Sequence, residues 1–398
     1  MPAVYLDHNA TTPLDPRVRE AMLPWLGERH GNPSSLHRFG QAARNAVEEA
    51  REQVASLLSV RPPELVFTAS GTEANNQVIE GVAQRCGGRG HLVISAIEHP
   101  SVREAAARAE RLGLAVTRVA PGPDGVVPAS EVIAALRTDT LLVCLMLANN
   151  ELGTLQPVAE VAWECRARGV PLLCDAVQAV GKVPVQAREL GVEYLVLGAH
   201  KFSGPLGAAA LWVRGGAALE PLLVGGSQER RRRAGTENVP ALVGLGEAAA
   251  LAEAELAERG LQLAALRDRF EAGLAEIPDA IVHCRMAPRL PNTSHVAFAG
   301  AEGEALLIRL DLAGFAVSTG SACSSGTVEP SKTLLAIGLA PAEALCSLRV
   351  SFGIANRPHE IDAFLAALGR ELGELRRLVP AAAPAAVAAL AAIEAPPK

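Results

Sequence analysis

Nowhere in the 398 residues is there a run of the about 18 apolar side chains that a membrane span needs, and Met1-Pro-Ala-Val-Tyr-Leu-Asp7 has neither the basic nor the apolar region of a signal peptide. A cytoplasmic protein with no membrane partner is the expectation. Positive charge is scarce too: 37 lysines and arginines face 43 aspartates and glutamates, a net charge of -6, which argues against nucleic acid as the main partner. The seven cysteines include no Cys-x-x-Cys pair, and their odd number suits no disulfide framework, so neither a zinc site nor a stapled fold is expected. Internal repeats are absent. What remains is a chain 49% hydrophobic and 20% charged, long enough for one large and one small domain around substantial interiors.

Helical periods alternate with short apolar runs through the first two thirds. The spacing predicts a helix over 36–60, a strand at Leu65-Val-Phe-Thr68 and a helix from Thr72 to Cys86. Strands follow at His91-Leu-Val-Ile-Ser95 and over 140–147, with helices over 101–112 and 158–168. Such β-α order implies a mostly parallel sheet covered by helices, with ligands bound beyond the carboxyl ends of its strands. A long Ala/Leu/Glu helical pattern covers 238–277 and is interrupted at Gly260, where one domain passes to the next. Beyond it the pattern predicts strands over 294–300 and 347–352 and helices over 302–312 and 359–378.

The candidate site residues cluster at strand ends. Lys201 closes the run Tyr194-Leu-Val-Leu-Gly-Ala-His-Lys201 before a Gly/Pro turn. A lysine at the end of a buried strand loses hydration, its pKa falls, and the neutral amine is the form that condenses with an aldehyde. Leu172-Leu-Cys-Asp175-Ala-Val-Gln178 is a second apolar run ending in an acid, as expected of a carboxylate that pairs with a protonated pyridine nitrogen. Asp175 and Lys201 together suggest pyridoxal phosphate. Ser70-Gly71-Thr72-Glu73, between strand and helix, offers free N–H groups and a hydroxyl to an anion such as phosphate, though an ordinary helix cap looks the same. His99 suits stacking on a ring or moving protons, or a plain turn before Pro100. Asn149 suits bonding a carboxylate or ring oxygen, or again a turn. Arg349, inside an apolar strand, requires a carboxylate, either a ligand's or an internal one. Cys144 and Cys174 lie in apolar runs and belong to the core, whereas Cys323 in Ser318-Thr-Gly-Ser-Ala-Cys-Ser-Ser-Gly326 sits among small polar residues that leave a thiol accessible.

Together these motifs resemble the cysteine desulfurases of the NifS/IscS-like group, aminotransferase-like enzymes of fold type I. Tyr5-Leu-Asp-His-Asn-Ala-Thr-Thr-Pro13, Gly31-Asn-Pro-Ser-Ser35, Asn149-Asn-Glu-Leu-Gly-Thr154, Gly225-Gly-Ser-Gln-Glu-Arg230, Arg233-Ala-Gly-Thr-Glu-Asn238 and Gly320-Ser-Ala-Cys-Ser324 extend the resemblance to about Arg357. It implies an α/β fold of the pyridoxal-phosphate-dependent transferase type. A large domain with a mostly parallel seven-stranded sheet would span 15–258, a smaller α+β domain 1–14 and 259–379, and an Ala/Pro-rich tail 380–398.

The resemblance further implies that Lys201 carries pyridoxal phosphate, Asp175 pairs with the ring nitrogen, Gln178 bonds the ring hydroxyl and His99 stacks on the ring. Gly71, Thr72 and His200 would hold the phosphate, Asn149 and Arg349 the substrate carboxylate, and Cys323 would take sulfur from L-cysteine as a persulfide, leaving L-alanine. No metal enters. The sulfur would pass to an acceptor such as an iron–sulfur scaffold or sulfur carrier, and a homodimer is implied in which Thr236 reaches the other subunit's phosphate. The run Arg230-Arg-Arg-Arg233 fits that interface better than nucleic acid. A selenocysteine lyase or another fold type I enzyme would keep Lys201 and Asp175 without depending on Cys323. Two positions depart from the family pattern: Gly198 where a serine hydroxyl usually joins the phosphate cup, and Leu206 where lysine is common.

Overall fold

The computed structural model describes residues 3–319 and 329–378. The strands are β1 (Val4–Tyr5), β2 (Leu65–Thr68), β3 (His91–Ser95), β4 (Ala115–Val119), β5 (Thr140–Cys144), β6 (Leu172–Asp175), β7 (Tyr194–Gly198), β8 (Ala209–Val213), β9 (Ala280–Val282), β10 (Thr293–Phe298), β11 (Phe315–Ala316) and β12 (Ser347–Ser351). Seven of them form one sheet in the order β2-β8-β7-β6-β5-β3-β4. Only β8 runs against its neighbours β2 and β7. The two reversals cancel, so β2 runs in the same sense as β7, and the carboxyl ends of β2, β3, β5, β6 and β7 share one edge of the sheet.

The central strands are buried on both faces, as near-continuous Val, Ile and Leu runs require in a sheet covered by helices on two sides. Alternate residues of β7 point to opposite sides. Leu195 and Leu197 pack with the helices Arg38–Leu57, Val158–Ala167 and the first half of Val239–Gly273; Tyr194 and Val196 pack with Gly71–Arg85 and Pro100–Arg111. Cys144 and Cys174 are buried core residues. The edge strand β4 is half-exposed and mixes Thr117 and Arg118 with its valines.

The interruption expected at Gly260 does not occur: Val239–Gly273 is one helix of 35 residues. A glycine inside a helix costs only about 1 kcal/mol relative to alanine. Burial on either side outweighs that, because Leu245, Ala249 and Ala252 enter the sheet's core while Leu263, Leu266 and Phe270 enter a second one. There Phe270 and Phe364 pack with Phe298 and Phe352, behind the antiparallel sheet β12-β10-β9. The chain's start returns to this part, where β1 pairs in parallel with β11. Among the described residues no helix is long and apolar enough to cross a membrane.

The arginine-rich loop is tied to its own chain. Glu229, Arg230 and Arg231 have φ of 47°, 56° and 65°, three successive left-handed residues without a glycine. Such backbone persists only where its surroundings over-determine it. Here the Glu229 carboxylate accepts from Arg51 Nη1 and Nη2 at 2.9 and 2.7 Å and from the Phe67 amide at 2.9 Å, all inside the protein. Arg232 donates to the Pro63 and Leu65 carbonyls at 3.0 and 2.7 Å, and Arg233 to Glu73 at 2.8 and 3.2 Å. Glu229→Ala should therefore leave Arg51 with only the half-exposed Glu48 as ion partner, strip the Phe67 amide of its acceptor and destabilise the fold by about 1 to 3 kcal/mol. Urea unfolding with an unchanged midpoint would show that the loop does not depend on this pair.

Candidate active site

Lys201 ends a single 3-10 turn, Ala199–Lys201, directly after β7. Its Nζ donates to the carbonyl oxygens of Asn9 and Ala10 at 2.6 and 2.7 Å. Burial, reinforced by the Arg349 charge and opposed by Asp175 and Asp7, lowers its pKa from 10.5 to about 8. The same N-terminal stretch clamps the turn, since the Thr12 amide and hydroxyl both donate to the His200 carbonyl at 2.8 Å. His200 Nδ1 lies 3.2 Å from Thr11 Oγ1, and burial with the nearby Lys201 and Lys182 charges holds its pKa down to about 4.

Asp175, at the end of the neighbouring strand β6, accepts from Val177 N at 3.0 Å and from Asn75 Nδ2 at 2.8 Å. Asn75 Nδ2 also donates to Ser101 Oγ at 2.9 Å, and Ser101 Oγ lies 2.8 Å from His99 Nδ1. Because the Ser101 amide donates to that same nitrogen at 3.1 Å, Nδ1 is an acceptor and the proton sits on Nε2. His99 is solvent-accessible in the cleft yet set among enough protein that desolvation lowers its pKa, against the opposing pull of Asp175, so the ring is neutral. Asp175 and His99 thus belong to one hydrogen-bonded relay through Asn75 and Ser101.

Gly71 and Thr72 open the helix that follows β2, with Ser70 as its cap accepting from Glu73 N at 3.1 Å. The amides of Gly71 and Thr72 have no partner among the described residues, as the first turn of a helix leaves them. A side chain at Gly71 would press its Cβ to 2.9 Å from Val177 Cγ2. Thr72 is exposed, and Arg233 on Glu73 fastens the loop leading to the exposed Thr236 beside this helix start.

Three candidates are engaged inside the protein. Asn149 is fully buried: its Nδ2 donates to Ile97 O at 3.1 Å, and its Oδ1 accepts from the Glu151 and Leu152 amides, both at 2.9 Å. That is the turn role its residue type allowed. Arg349 has the internal partner, with Nη2 at 2.6 Å from Asp7 Oδ1 and Nη1 donating to Asn150 O at 3.0 Å, while its buried Nε has no partner. Gln178 donates through Nε2 to Asn9 O at 2.8 Å and accepts from Lys182 Nζ at 2.8 Å. Cys323 lies outside the described residues.

Sequence reasoning missed Asn9, Asn75, Ser101 and Lys182. Asn9 stands in the Tyr5–Pro13 motif, and Asn75 one helical turn beyond Thr72, so position was a usable signal for both. The residues fit pyridoxal phosphate. They offer a desolvated amine for its aldehyde, a carboxylate for its ring nitrogen, free helix-start amides for its phosphate and an open imidazole for its ring face.

The aminotransferase class-V family matches residues 4–364. A cysteine desulfurase IscS from Dictyoglomus turgidum is 43% identical over 379 residues, 95% of this chain and 96% of that one. Among solved structures, a NifS-like protein superposes with a TM-score of 0.88 at 35% identity, covering 94% of this chain and 100% of its own. SspA in complex with cysteine does so with a TM-score of 0.78 at 34% identity, covering 87% and 98%. The chain belongs to the class-V aminotransferases, whose fold is pyridoxal-phosphate-dependent. Within them it is a member of the cysteine desulfurases, in the NifS/IscS-like group.

Gly198 gives this site a specific test. Its φ of -135° suits any residue, and a Cβ there would make ordinary contacts at 3.6 Å with Val177 and 3.7 Å with His200. Gly198→Ser should return a hydroxyl without strain and tighten pyridoxal phosphate retention by about 0.5 to 1.5 kcal/mol, roughly two- to tenfold. Equilibrium dialysis giving equal or weaker retention would place no phosphate beside this position.

Proposed function

We infer that this protein removes sulfur from L-cysteine, releasing L-alanine and holding the sulfur as a persulfide on Cys323. Lys201 carries the reading: a strand-end amine desolvated to a pKa of about 8, flanked by Asp175 and Arg349. Pyridoxal phosphate, when bound, supplies an aldehyde for that amine and a ring that accepts the electron pair left on the substrate α-carbon. Asp175 would hold the ring nitrogen protonated, Gln178 would donate to the ring hydroxyl, and His99 would cover the ring face. Gly71, Thr72 and His200 would hold the phosphate.

Arg349, held in place by Asp7 and the Asn150 carbonyl, would receive the substrate carboxylate. Asn149 acts in this reading by shaping the loop that offers the Asn150 carbonyl to Arg349. Lys201, once free, takes the α-proton: at pH 7 about a tenth of an amine with this pKa is neutral, against about one part in three thousand for an ordinary lysine. The Cys323 thiolate then attacks the substrate sulfur. A sulfur–sulfur bond forms as the carbon–sulfur bond breaks, and the bonding pair stays with the carbon skeleton, which is protonated to alanine. The persulfide sulfur goes on to an acceptor protein such as an iron–sulfur scaffold or a sulfur carrier, as the IscS relatives suggest. The exposed Thr236 would reach the phosphate held by the neighbouring copy in a homodimer.

The lowered Lys201 pKa sets a direction with pH. The amine is protonated below about 8 and free above it, so uptake of pyridoxal phosphate by the apoprotein should quicken as pH rises, with its midpoint near 8. A midpoint near the ordinary 10.5 would mean that Lys201 is not desolvated.

Cys323→Ser should still bind pyridoxal phosphate and still change its visible absorption on adding L-cysteine, but form no persulfide, because a serine hydroxyl is a poor nucleophile toward sulfur. Mass spectrometry of wild-type protein after one turnover should find the added sulfur on the Cys323 peptide. Sulfur on Cys86, Cys284 or Cys346, or full alanine release by the serine variant, would overturn the assignment.

A further inference from the structure

One buried lysine has no part in the chemistry above. Lys182 is brought inward by the turn after Gln178, whose Ala179 and Val180 amides bond back to the Ala176 carbonyl and whose Lys182 and Val183 amides bond back to Ala179. Gly181 completes the turn at φ +77°, so close to Phe202 that a Cβ would lie 2.5 Å from the phenylalanine's own. Only glycine fits there. With Lys201, His8, Asn292 and Phe352, Lys182 lines a cavity of about 300 Å³.

Among the described residues no carboxylate lies within ion-pair distance of Lys182. Its Nζ instead meets two amide oxygens, Gln178 Oε1 at 2.8 Å and Asn9 Oδ1 at 3.2 Å. Burying an ammonium without a counter-ion is unfavourable, and burial together with the Lys201 and Arg349 charges puts its pKa well below the ordinary value. Two of its N–H donors are spent on those two oxygens. Gln178 Oε1 is thereby occupied, and Gln178 Nε2 gives one hydrogen to Asn9 O at 2.8 Å. Its second hydrogen is left for a ligand.

We propose that Lys182 is a positioning residue: by donating to Gln178 Oε1 it locks the amide so that nitrogen, not oxygen, is offered to the ring oxygen of pyridoxal phosphate. A donor at that point favours the ionised ring oxygen, which governs the visible absorption band of the bound cofactor. The inference rests on the reading of Lys201 as the cofactor's anchor and of Gln178 as the partner of its ring hydroxyl.

The test is a double-mutant cycle read by cofactor affinity and absorption band. Lys182→Met keeps the stem and removes both donors; it should weaken pyridoxal phosphate retention about tenfold and displace the band. Lys182→Gln, which returns an N–H donor, should restore the wild-type band. In a Gln178→Leu background, Lys182→Met should add about twofold or less, since its effect passes through Gln178. Wild-type affinity and band in Lys182→Met, or equal losses in both backgrounds, would overturn the proposal. If Lys182→Met does not fold, Lys182→Gln decides: a wild-type band supports the role and a displaced band opposes it. Lys201→Ala, measured alongside, separates the two readings, because unaltered retention and band in that variant would remove the anchor itself.

Discussion

Asn9, on the stretch that follows the first strand, is where the parts of this protein meet. Its carbonyl accepts from Lys201 Nζ and Gln178 Nε2, its Oδ1 from Lys182 and Asn292, and its own Nδ2 donates to Thr293 Oγ1 and Asn150 O. Its amide donates to Ser351 Oγ. Buried polar groups must be paired, and this one residue pairs groups from the sheet edge, the following turn and the antiparallel sheet behind the second core. Lys201 is therefore held by the chain's opening segment, although it lies near the middle of the sequence.

The depressed basicity of Lys201 follows from that clamp. Two backbone carbonyls satisfy the amine's donors but supply no charge, so they hold the side chain in place without stabilising its ammonium form as a carboxylate would. Asp175 and Asp7 pull the other way, but the desolvation and the Arg349 guanidinium outweigh them. Asp175 keeps its own partners through Asn75, which joins it to Ser101 and His99. The residues proposed to meet the cofactor are arranged by a few neutral amides and hydroxyls, which fix direction without adding charge.

Strand ends were legible because a buried parallel strand is a short run of Val, Ile and Leu that stops at a polar residue, and Asp175 and Lys201 each stand at such a stop. The helix over Arg38–Leu57 was equally plain from its apolar spacing. The edge strand β4 was not, since Thr117 and Arg118 break its run, and Gly260 suggested a break that packing overrides. Arg349 looked equally suited to an internal carboxylate or a ligand's, and only the return of Asp7 from the chain's start shows that the internal one is present.

Local patterns, then, were enough for the α/β class, the strand-end acid and lysine, the helix start at Gly71 and the family motifs, because each depends on residues within a few positions of one another. The contacts of Asn9 with Lys201, of Asn75 with Asp175 and of Arg51 with Glu229 join residues 192, 100 and 178 positions apart. Which polar groups satisfy one another across such distances depends on how the whole chain returns upon itself, and no local period carries that information. The same holds for Lys182: a lysine in sequence reads as charged and solvated, and only the fold buries it against two amide oxygens and pushes its pKa down.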